Sequence, residues 1–167
     1  AGHVGQALAK LAVELDFHVI VLDDRADFAS RERFPAEVEL RAGSMVQTLE
    51  RDPIDSSCYV VILTRGHQHD QQALEAVINS EAKYIGLIGS RRKKQVIFDD
   101  MIKRGVTDAS TLQRVHSPVG LDIGAVTVPE IATSIAAELV QQRRKVAPQL
   151  VSGPLDLSEP AHTQTIE

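Results

Sequence analysis

Cysteine, tryptophan and long apolar runs are scarce or absent in this sequence of 167 residues. The single cysteine, Cys58, excludes an intrachain disulfide and a cysteine-based zinc cluster. Four Phe and two Tyr are too few for the stacking platforms that bind single-stranded nucleic acid. No apolar run approaches the roughly 20 residues of a membrane helix, and no signal peptide is visible. We therefore expect a cytoplasmic protein that works away from the membrane.

Acidic residues outnumber basic ones, 23 to 18, which gives a formal net charge of −5. An acidic chain lacks the basic footprint of a protein that binds duplex DNA, so we expect no nucleic-acid partner. Apolar residues make up 43% of the sequence, enough to bury a substantial core. The composition is therefore that of an ordinary globular domain.

Helical and strand-like patterns alternate along residues 1–145. Such alternation predicts an α/β fold, a doubly wound parallel sheet of the Rossmann-like kind. Residues 146–167 contain three prolines and no periodicity, so we expect a disordered tail there. The predicted helices cover 4–15, 44–51, 70–80 with Asp70 as N-cap, 90–104, 108–115 and 127–145, and the predicted strands cover 17–23, 37–40, 58–64 and 83–89.

The opening residues AGHVG form a glycine-rich turn with no strand in front of it. Gly2 and Gly5 have the spacing of the last two glycines in G-x-G-x-x-G, a motif that sits between a strand and a helix. We therefore expect this chain to be a fragment whose first strand is missing. That strand is central in such sheets, so the fragment should aggregate or fill the gap from another molecule as a homo-oligomer.

Phosphate binding is the chemistry that this turn favours, because glycine lets a pyrophosphate approach the first N–H groups of a helix. Asp23 lies 21 residues after Gly2, at the end of the next predicted strand, where the fingerprint places an acid for ribose hydroxyls. Asp24 replaces Asp23 if that strand runs one residue further. Arg25 either pairs with a 2′-phosphate or is a solvated surface residue. Alternatively, Gly2 and Gly5 only permit close packing of helix and strand.

A second anion site is predicted at the segment GSRRKK. Ser90 begins a helix there, and Gly89 precedes it in the turn. Arg91 and Arg92 add positive charge at a helix start, where it opposes the helix dipole, and a bound phosphate would explain that arrangement. The alternative is a solvated basic helix start.

Histidines and one further acid complete the candidate residues. His3 lies within the glycine turn and should point toward a bound phosphate. His67 and His69 have the spacing of two metal ligands, but nearby third and fourth ligands are missing, so we predict no metal site. Arg65 lies in the same segment, TRGHQHD, which follows a predicted strand. Asp122 lies in a glycine-punctuated loop and either shapes a pocket wall or merely turns the chain.

Six segments together resemble the C-terminal Rossmann-type domain of the XdhC/CoxI family, over about residues 1–145. They are AGHVG, VLDDR, RERFP, TRGHQHD, YIGLIGSRRKK and HSPVGLDIGA. The resemblance implies an accessory protein that binds molybdenum cofactor, protects it during sulfuration and passes it to an apo-hydroxylase such as xanthine dehydrogenase. The cofactor is molybdopterin or its dinucleotide form, and a cysteine desulfurase is a further implied partner.

The resemblance carries pocket residues over to matching positions, and it leaves two other functions open. An NAD(P)-dependent oxidoreductase domain is the alternative that the glycine turn and Asp23 support, and a regulatory scaffold that docks a partner is a third. No catalytic residue is predicted. The residues expected in the cofactor pocket are Gly2, His3, Gly5, Asp23, Arg65, His67, Gly89, Ser90, Arg91, Arg92 and Asp122.

Overall fold

Six helices and five strands make up the part of the chain described by the computed structural model, residues 1–52 and 54–145. The predicted tail, 146–167, lies outside these residues. In chain order the elements are α1 (His3–Glu14), β1 (Ile20–Asp23), β2 (Glu39–Ala42), α2 (Met45–Arg51), β3 (Tyr59–Ile62), α3 (Gly66–Val77), β4 (Tyr84–Leu87), α4 (Arg91–Lys103), α5 (Ala109–Leu112), β5 (Val115–His116) and α6 (Val128–Arg144).

All strand pairs are parallel, but the strands form two half-sheets instead of one continuous sheet. The first half-sheet is β1–β2, and the second is β3–β4–β5. Ile20 lies opposite Glu39 in the first, and Tyr59 lies opposite Tyr84 in the second. Within the described residues, β1 and β3 each pair with a strand on one side only. The parallel α/β class predicted from the alternating pattern is confirmed.

Helices cover both faces of the second half-sheet, as a doubly wound fold requires. On β3, Val60 and Ile62 join one core, while Tyr59 and Val61 join the core on the other face. This period of two is that of a strand buried on both sides. The first core packs β3, β4 and β5 against α3, α4 and α5, and the second packs them against α1 and α6.

The two half-sheets differ in the size of their cores. The buried residues of the core around β1 and β2 are Ala9, Phe34 and Val38. The core between the second half-sheet and helices α3, α4 and α5 is four times as large. Its buried residues are Ile62, Ala73, Leu74, Val77, Ile78, Ala82, Ile85, Leu87, Ile97, Met101, Leu112 and Val115.

Side-chain caps fix several helix starts that the sequence predicted. Ser44 and Ser90 accept hydrogen bonds from the backbone N–H groups of Gln47 and Lys93. Thr127 and Glu130 form the predicted capping box at the start of α6. Such local signals are read from the sequence correctly because both partners lie within one helical turn.

Two predicted strand boundaries are wrong, and each has a local cause. The strand predicted from residue 17 begins at Ile20, because the Phe17 N–H bonds back to the Ala12 carbonyl and ends α1 instead. The strand predicted at 37–40 is shifted to Glu39–Ala42, because the Val38 N–H is used in a turn with the Pro35 carbonyl.

Asp70 is not the N-cap of α3, because the helix begins four residues earlier, at Gly66. Its carboxylate is buried and bonds instead to Thr64 and Lys93. Val115 and His116, predicted as a helix end and a loop start, form β5 by pairing with β4. That strand pairing is a tertiary contact with no local signal.

Candidate functional site

A cavity of about 650 Å³ separates β1 from β3. Strands β1 and β3 form two of its walls, α1 covers one face, and α2 with α3 covers the other. Ligands of parallel α/β folds bind outside the carboxyl ends of the strands, so that end of the cavity is the candidate site. The residues that line it there are Ala1, Gly2, Asp23, Asp24, Arg25, Thr64, Arg65 and His69.

Asp23 ends β1 and is 5% exposed. Its carboxylate accepts two hydrogen bonds of 2.9 Å from the Arg25 guanidinium and one of 2.8 Å from the Ala1 amino nitrogen. Burial alone raises the pKa of this carboxyl, but the bonds from Arg25 and Ala1 outweigh it and hold the pKa well below its usual range. Asp23 is therefore an ionised carboxylate whose oxygens already have partners.

Arg25 is held in place from two sides. Besides the bonds to Asp23, its guanidinium carbon lies 3.3 Å from the centre of the Phe28 ring, and Arg33 lies over the same ring at 4.3 Å. The carboxylate of Asp23 raises the pKa of Arg25 by hydrogen bonding. The sequence interpreted Arg25 as a phosphate ligand or a solvated residue. In the structure it instead bonds to Asp23 and packs on Phe28.

Arg65 and Asp24 meet across the open end of the cavity. The Arg65 guanidinium is 59% exposed and lies 3.6 Å from the Asp24 carboxylate, so the pair joins the end of β1 to the start of α3. That separation is beyond a hydrogen bond, and exposed pairs of this kind contribute little to stability. Arg65 is therefore a positive charge at the site that an incoming anion can engage.

The glycine turn leaves open space at the start of α1. A Cβ added to Gly2 would meet nothing within 4 Å, and one added to Gly5 would touch only the Leu63 side chain at 4.0 Å. Gly2 caps α1 without a side-chain hydrogen bond to the first helical N–H groups. Among the described residues, close packing does not account for these glycines, which favours the phosphate interpretation.

The second predicted anion site, at Ser90, is connected to the cavity but does not line it. Thr64, in the cavity wall, donates its hydroxyl hydrogen to Asp70, and Asp70 in turn accepts from the Lys93 ammonium on α4. Gly89 adopts φ +141°, where a Cβ would lie 2.8 Å from Lys93 Cδ. One buried carboxylate thus links the cavity wall at Thr64 to the first turn of α4.

The remaining predicted residues are distributed around this region and beyond it. Gly2, Gly5, Asp23 and Arg65 line the cavity. The structure brings these four together, and whether they bind a cofactor stays a prediction. Seven others are absent from the lining. Gly89 is half-buried, and the other six are exposed at the surface: His3, His67, Ser90, Arg91, Arg92 and Asp122.

Sequence reasoning missed two features of this region. Thr64 and His69 line the carboxyl end of the cavity, and Lys93 fixes Asp70 beside it. Both Asp70 and Lys93 belong to segments singled out in the sequence, but their pairing across 23 residues has no sequence signal. In the described ranges, no three His, Cys, Asp or Glu side chains are grouped to hold a metal ion.

A second polar centre lies at β4 and β5, away from the cavity wall. The buried Glu138 carboxylate accepts 2.6 Å hydrogen bonds from the Tyr84 hydroxyl and the Gly120 N–H, and it lies 2.6 Å from His116 Nδ1. Burial raises the pKa of Tyr84, and the Glu138 carboxylate raises it further. This cluster joins β4, β5, α6 and the loop that follows β5.

No helix in the described part of the chain is long and apolar enough to cross a membrane.

One protein family and two relatives of known sequence match this chain. The model of that family, the XdhC Rossmann domain, matches residues 1–139. An Escherichia coli (strain K12) relative, uncharacterized protein YqeB, is 34% identical over 155 residues, 92% of this chain and 28% of the relative. A Bacillus subtilis (strain 168) relative, a probable subunit of xanthine dehydrogenase, is 33% identical over 147 residues, 88% of this chain and 42% of the relative.

One solved structure extends the similarity to three dimensions. A crystal structure of a xanthine dehydrogenase from Bacillus halodurans matches with a TM-score of 0.74 and 30% identity. The match covers 86% of this chain and 42% of that one. The chain thus spans less than half the length of each of these relatives.

Proposed function

The chain belongs to the XdhC Rossmann domain family, and from that premise we propose that it is the phosphate-binding domain of a xanthine dehydrogenase accessory protein. Its ligand in this proposal is the molybdenum cofactor, molybdopterin or the dinucleotide form. The name of the Bacillus subtilis relative supports the link to xanthine dehydrogenase. The single structural observation that carries the proposal is the open glycine turn beside Arg65 at the carboxyl end of the cavity.

The residues at that end fit the phosphate of such a group. The first N–H groups of α1 have no side-chain cap, and a helix start of this kind stabilises an anion. Arg65 supplies a full positive charge, and a phosphate there can replace Asp24 as its partner. Asp23 does not repel the phosphate at full strength, because Arg25 neutralises it.

The same geometry weakens the case for an NAD(P)-dependent oxidoreductase. That alternative needs Asp23 to accept hydrogen bonds from ribose hydroxyls. Both oxygens of Asp23 are instead bonded to Arg25, with Ala1 as a further donor. A dinucleotide would have to displace those bonds, whereas a phosphate on Arg65 displaces only the longer contact to Asp24.

Family membership also motivates the downstream steps of the proposal. When bound, the cofactor supplies the molybdenum centre of the client hydroxylase. This domain's own part is to hold the phosphate end and to exclude water from the covered side of the cavity. Sulfuration with the help of a cysteine desulfurase and transfer to the apo-hydroxylase, in the cytoplasm, complete the proposed role.

Two isosteric substitutions at Gly2 test the phosphate site. Asp and Asn both cap helices well, and the space around Gly2 accepts either side chain, so both variants should keep the stability of the protein within a few tenths of a kcal/mol. Gly2→Asp places a negative charge on the phosphate position, whereas Gly2→Asn does not. We expect about tenfold less cofactor on Gly2→Asp than on Gly2→Asn.

The measurement is the pterin and molybdenum content of each protein after purification from cells that make the cofactor. Thermal unfolding of the same samples verifies the matched stability. Equal cofactor content in the two variants would contradict the proposal. Tight binding of NADH or NADPH, lost in Gly2→Asp and accompanied by oxidation of that cofactor as an added substrate is reduced, would establish the oxidoreductase alternative instead.

A further inference from the structure

Exposed apolar side chains are concentrated in one short stretch after β5, residues 121–128, which we call the apolar loop. Ile123, Val126 and Val128 lie within six residues of one another, and Val126 is 81% exposed. In the described part of the chain, the other large hydrophobic side chains with high exposure are spread over β1 and α4: Ile20, Val96 and Ile102. Single exposed apolar side chains are common on folded domains, whereas a group of them marks a contact surface.

The apolar loop is held in place by α6. At its beginning, the Leu121 N–H donates a 3.1 Å hydrogen bond to the Ser134 carbonyl. Towards its end, the N–H groups of Val126 and Thr127 each donate a 2.8 Å hydrogen bond to the Glu130 carboxylate. These bonds fix the backbone at both ends of the loop, so its apolar side chains are exposed on an ordered segment. A surface that is ordered beforehand loses less entropy when a partner binds.

The apolar loop lies at the same edge of the fold as the glycine turn. Helix α6 follows β5, a strand of the parallel sheet, so it begins at the carboxyl end of the strands. Helix α1 begins after Gly2, which lines the carboxyl end of the cavity. Val4 and Ile131, near the starts of the two helices, pack in the same core. A protein docked on the loop therefore approaches the edge where the proposed ligand binds.

The charge of this stretch is of one sign. Residues 115–142 contain no lysine or arginine, and their exposed acidic residues are Asp122 and Glu130. An apolar surface bordered by carboxylates is complementary to an apolar pocket bordered by lysine or arginine side chains. A second copy of the chain docked through the same loop would bring these acidic residues near their own counterparts, and like charges oppose that contact. The charge pattern therefore favours a different protein as the occupant.

We propose that the apolar loop is the docking surface for the protein that receives the bound ligand. Ile123, Val126 and Val128 enter an apolar pocket on that protein, and basic side chains around the pocket face Asp122 and Glu130. In the proposed function, on which this docking surface rests, the recipient is the apo-hydroxylase. Docking beside the glycine turn brings the recipient to the edge from which the ligand leaves.

Two substitutions of opposite charge at Val126 test the docking surface. Val126→Glu and Val126→Lys both remove the apolar side chain, and they differ in the charge that replaces it. The site is exposed, so both variants should fold as the parent protein does. Val96→Lys is the control, because Val96 is also exposed but belongs to α4, on the opposite face of the sheet. Thermal unfolding verifies the fold, and titration calorimetry measures the Kd of each full chain for purified apo-hydroxylase from the same organism.

Val126→Glu should weaken binding about tenfold, because an apolar contact is lost. Val126→Lys should weaken it at least about hundredfold, because the new charge also repels the basic border of the pocket. Val96→Lys should bind within about twofold of the parent protein. A higher salt concentration should reduce the difference between the two Val126 variants, since screening weakens the repulsion.

Binding of Val126→Lys as tight as that of the parent protein would overturn the docking surface, and tighter binding of Val126→Lys than of Val126→Glu would overturn the basic pocket. Self-association of the parent protein that Val126→Lys abolishes, measured by light scattering, would show that a second copy is the occupant instead. Failure of the parent protein to bind apo-hydroxylase would remove that partner from the proposed function as well. Because no cofactor is present, none of these results changes the Gly2 comparison, which tests the phosphate site by itself.

Discussion

The two sides of the central cavity are stabilised in different ways. Within the β1–β2 half, the strongest side-chain hydrogen bonds span short stretches: Arg25 bonds to Asp23 and Arg41 bonds to Glu39, each two residues away, and Arg41 also pairs with Asp52. In the β3–β4–β5 half they join distant segments, as when Tyr84 bonds to Glu138, 54 residues on. Together with the unequal cores, this difference in sequence separation indicates that the second half carries most of the cooperative stability.

Truncating the larger core should have the greatest effect. Leu74 is fully buried in it, and Leu74→Ala should lower the free energy of unfolding by about 2–5 kcal/mol, because it removes buried methyl groups and leaves a cavity. Val38→Ala, at an equally buried site of the smaller core, is the matched variant. It should mainly speed local hydrogen exchange in β1 and β2. A loss of global stability from Val38→Ala as large as that from Leu74→Ala, measured by urea unfolding, would erase the contrast between the halves.

Changing Glu138, which bonds to Tyr84 and Gly120, should have an intermediate effect on the free energy of unfolding. Glu138→Gln keeps the shape of the side chain but places an amide N–H₂ where one carboxylate oxygen accepted hydrogen bonds. We expect a loss of about 1–3 kcal/mol in the free energy of unfolding, since one of the buried groups, Tyr84 or Gly120 among them, loses its acceptor. Thr133→Val, on the exposed face of the same helix, serves as the control. Unfolding curves that coincide with that of the parent protein would show that the cluster contributes no stability.

Changing Asp23, at the end of β1, should have the smallest effect on the free energy of unfolding at neutral pH, and this effect should depend on pH. The folded-state pKa of Asp23 is depressed, so its contribution is fully present above the unfolded pKa of about 4 and is lost as the pH falls toward the folded value. Asp23→Asn should cost about 1–2 kcal/mol at pH 7 and progressively less below pH ~4. Urea midpoints from pH 7 to pH 2.5 measure this. A difference between the two proteins that stays constant across that range would contradict the ion-pair account.

Local signals in the sequence predicted much of the fold. Ser90 and Thr127 mark helix starts through hydrogen bonds within one turn, and the β-branched runs mark buried strands. The start of α3 was misplaced because Asp70, an excellent cap in isolation, is used by Lys93 from another helix. The sequence does not predict β5, because a strand of two residues has no periodicity and forms only by pairing with β4.

The outline of the candidate site was also predictable from local signals in the sequence. The positions of Gly2, Gly5 and Asp23 follow from a spacing, and the structure places all three in the lining of one cavity. What Asp23 does there was not predictable, because its bonds to Arg25 depend on how the loop after β1 folds back over Phe28. A spacing identifies where a carboxylate lies, whereas its hydrogen-bond partners decide its chemistry.

Arg143 has a consequence for how the glycine turn is held. Its guanidinium donates a 2.6 Å hydrogen bond to the Leu15 carbonyl and lies 4.6 Å from the centre of the Phe17 ring, so the end of α6 is fastened to the end of α1. Both helices also join the core that contains Tyr84. Opening of α1 therefore has to break contacts with α6 as well, and the helix that begins at the glycine turn shares in the cooperative stability of the larger half.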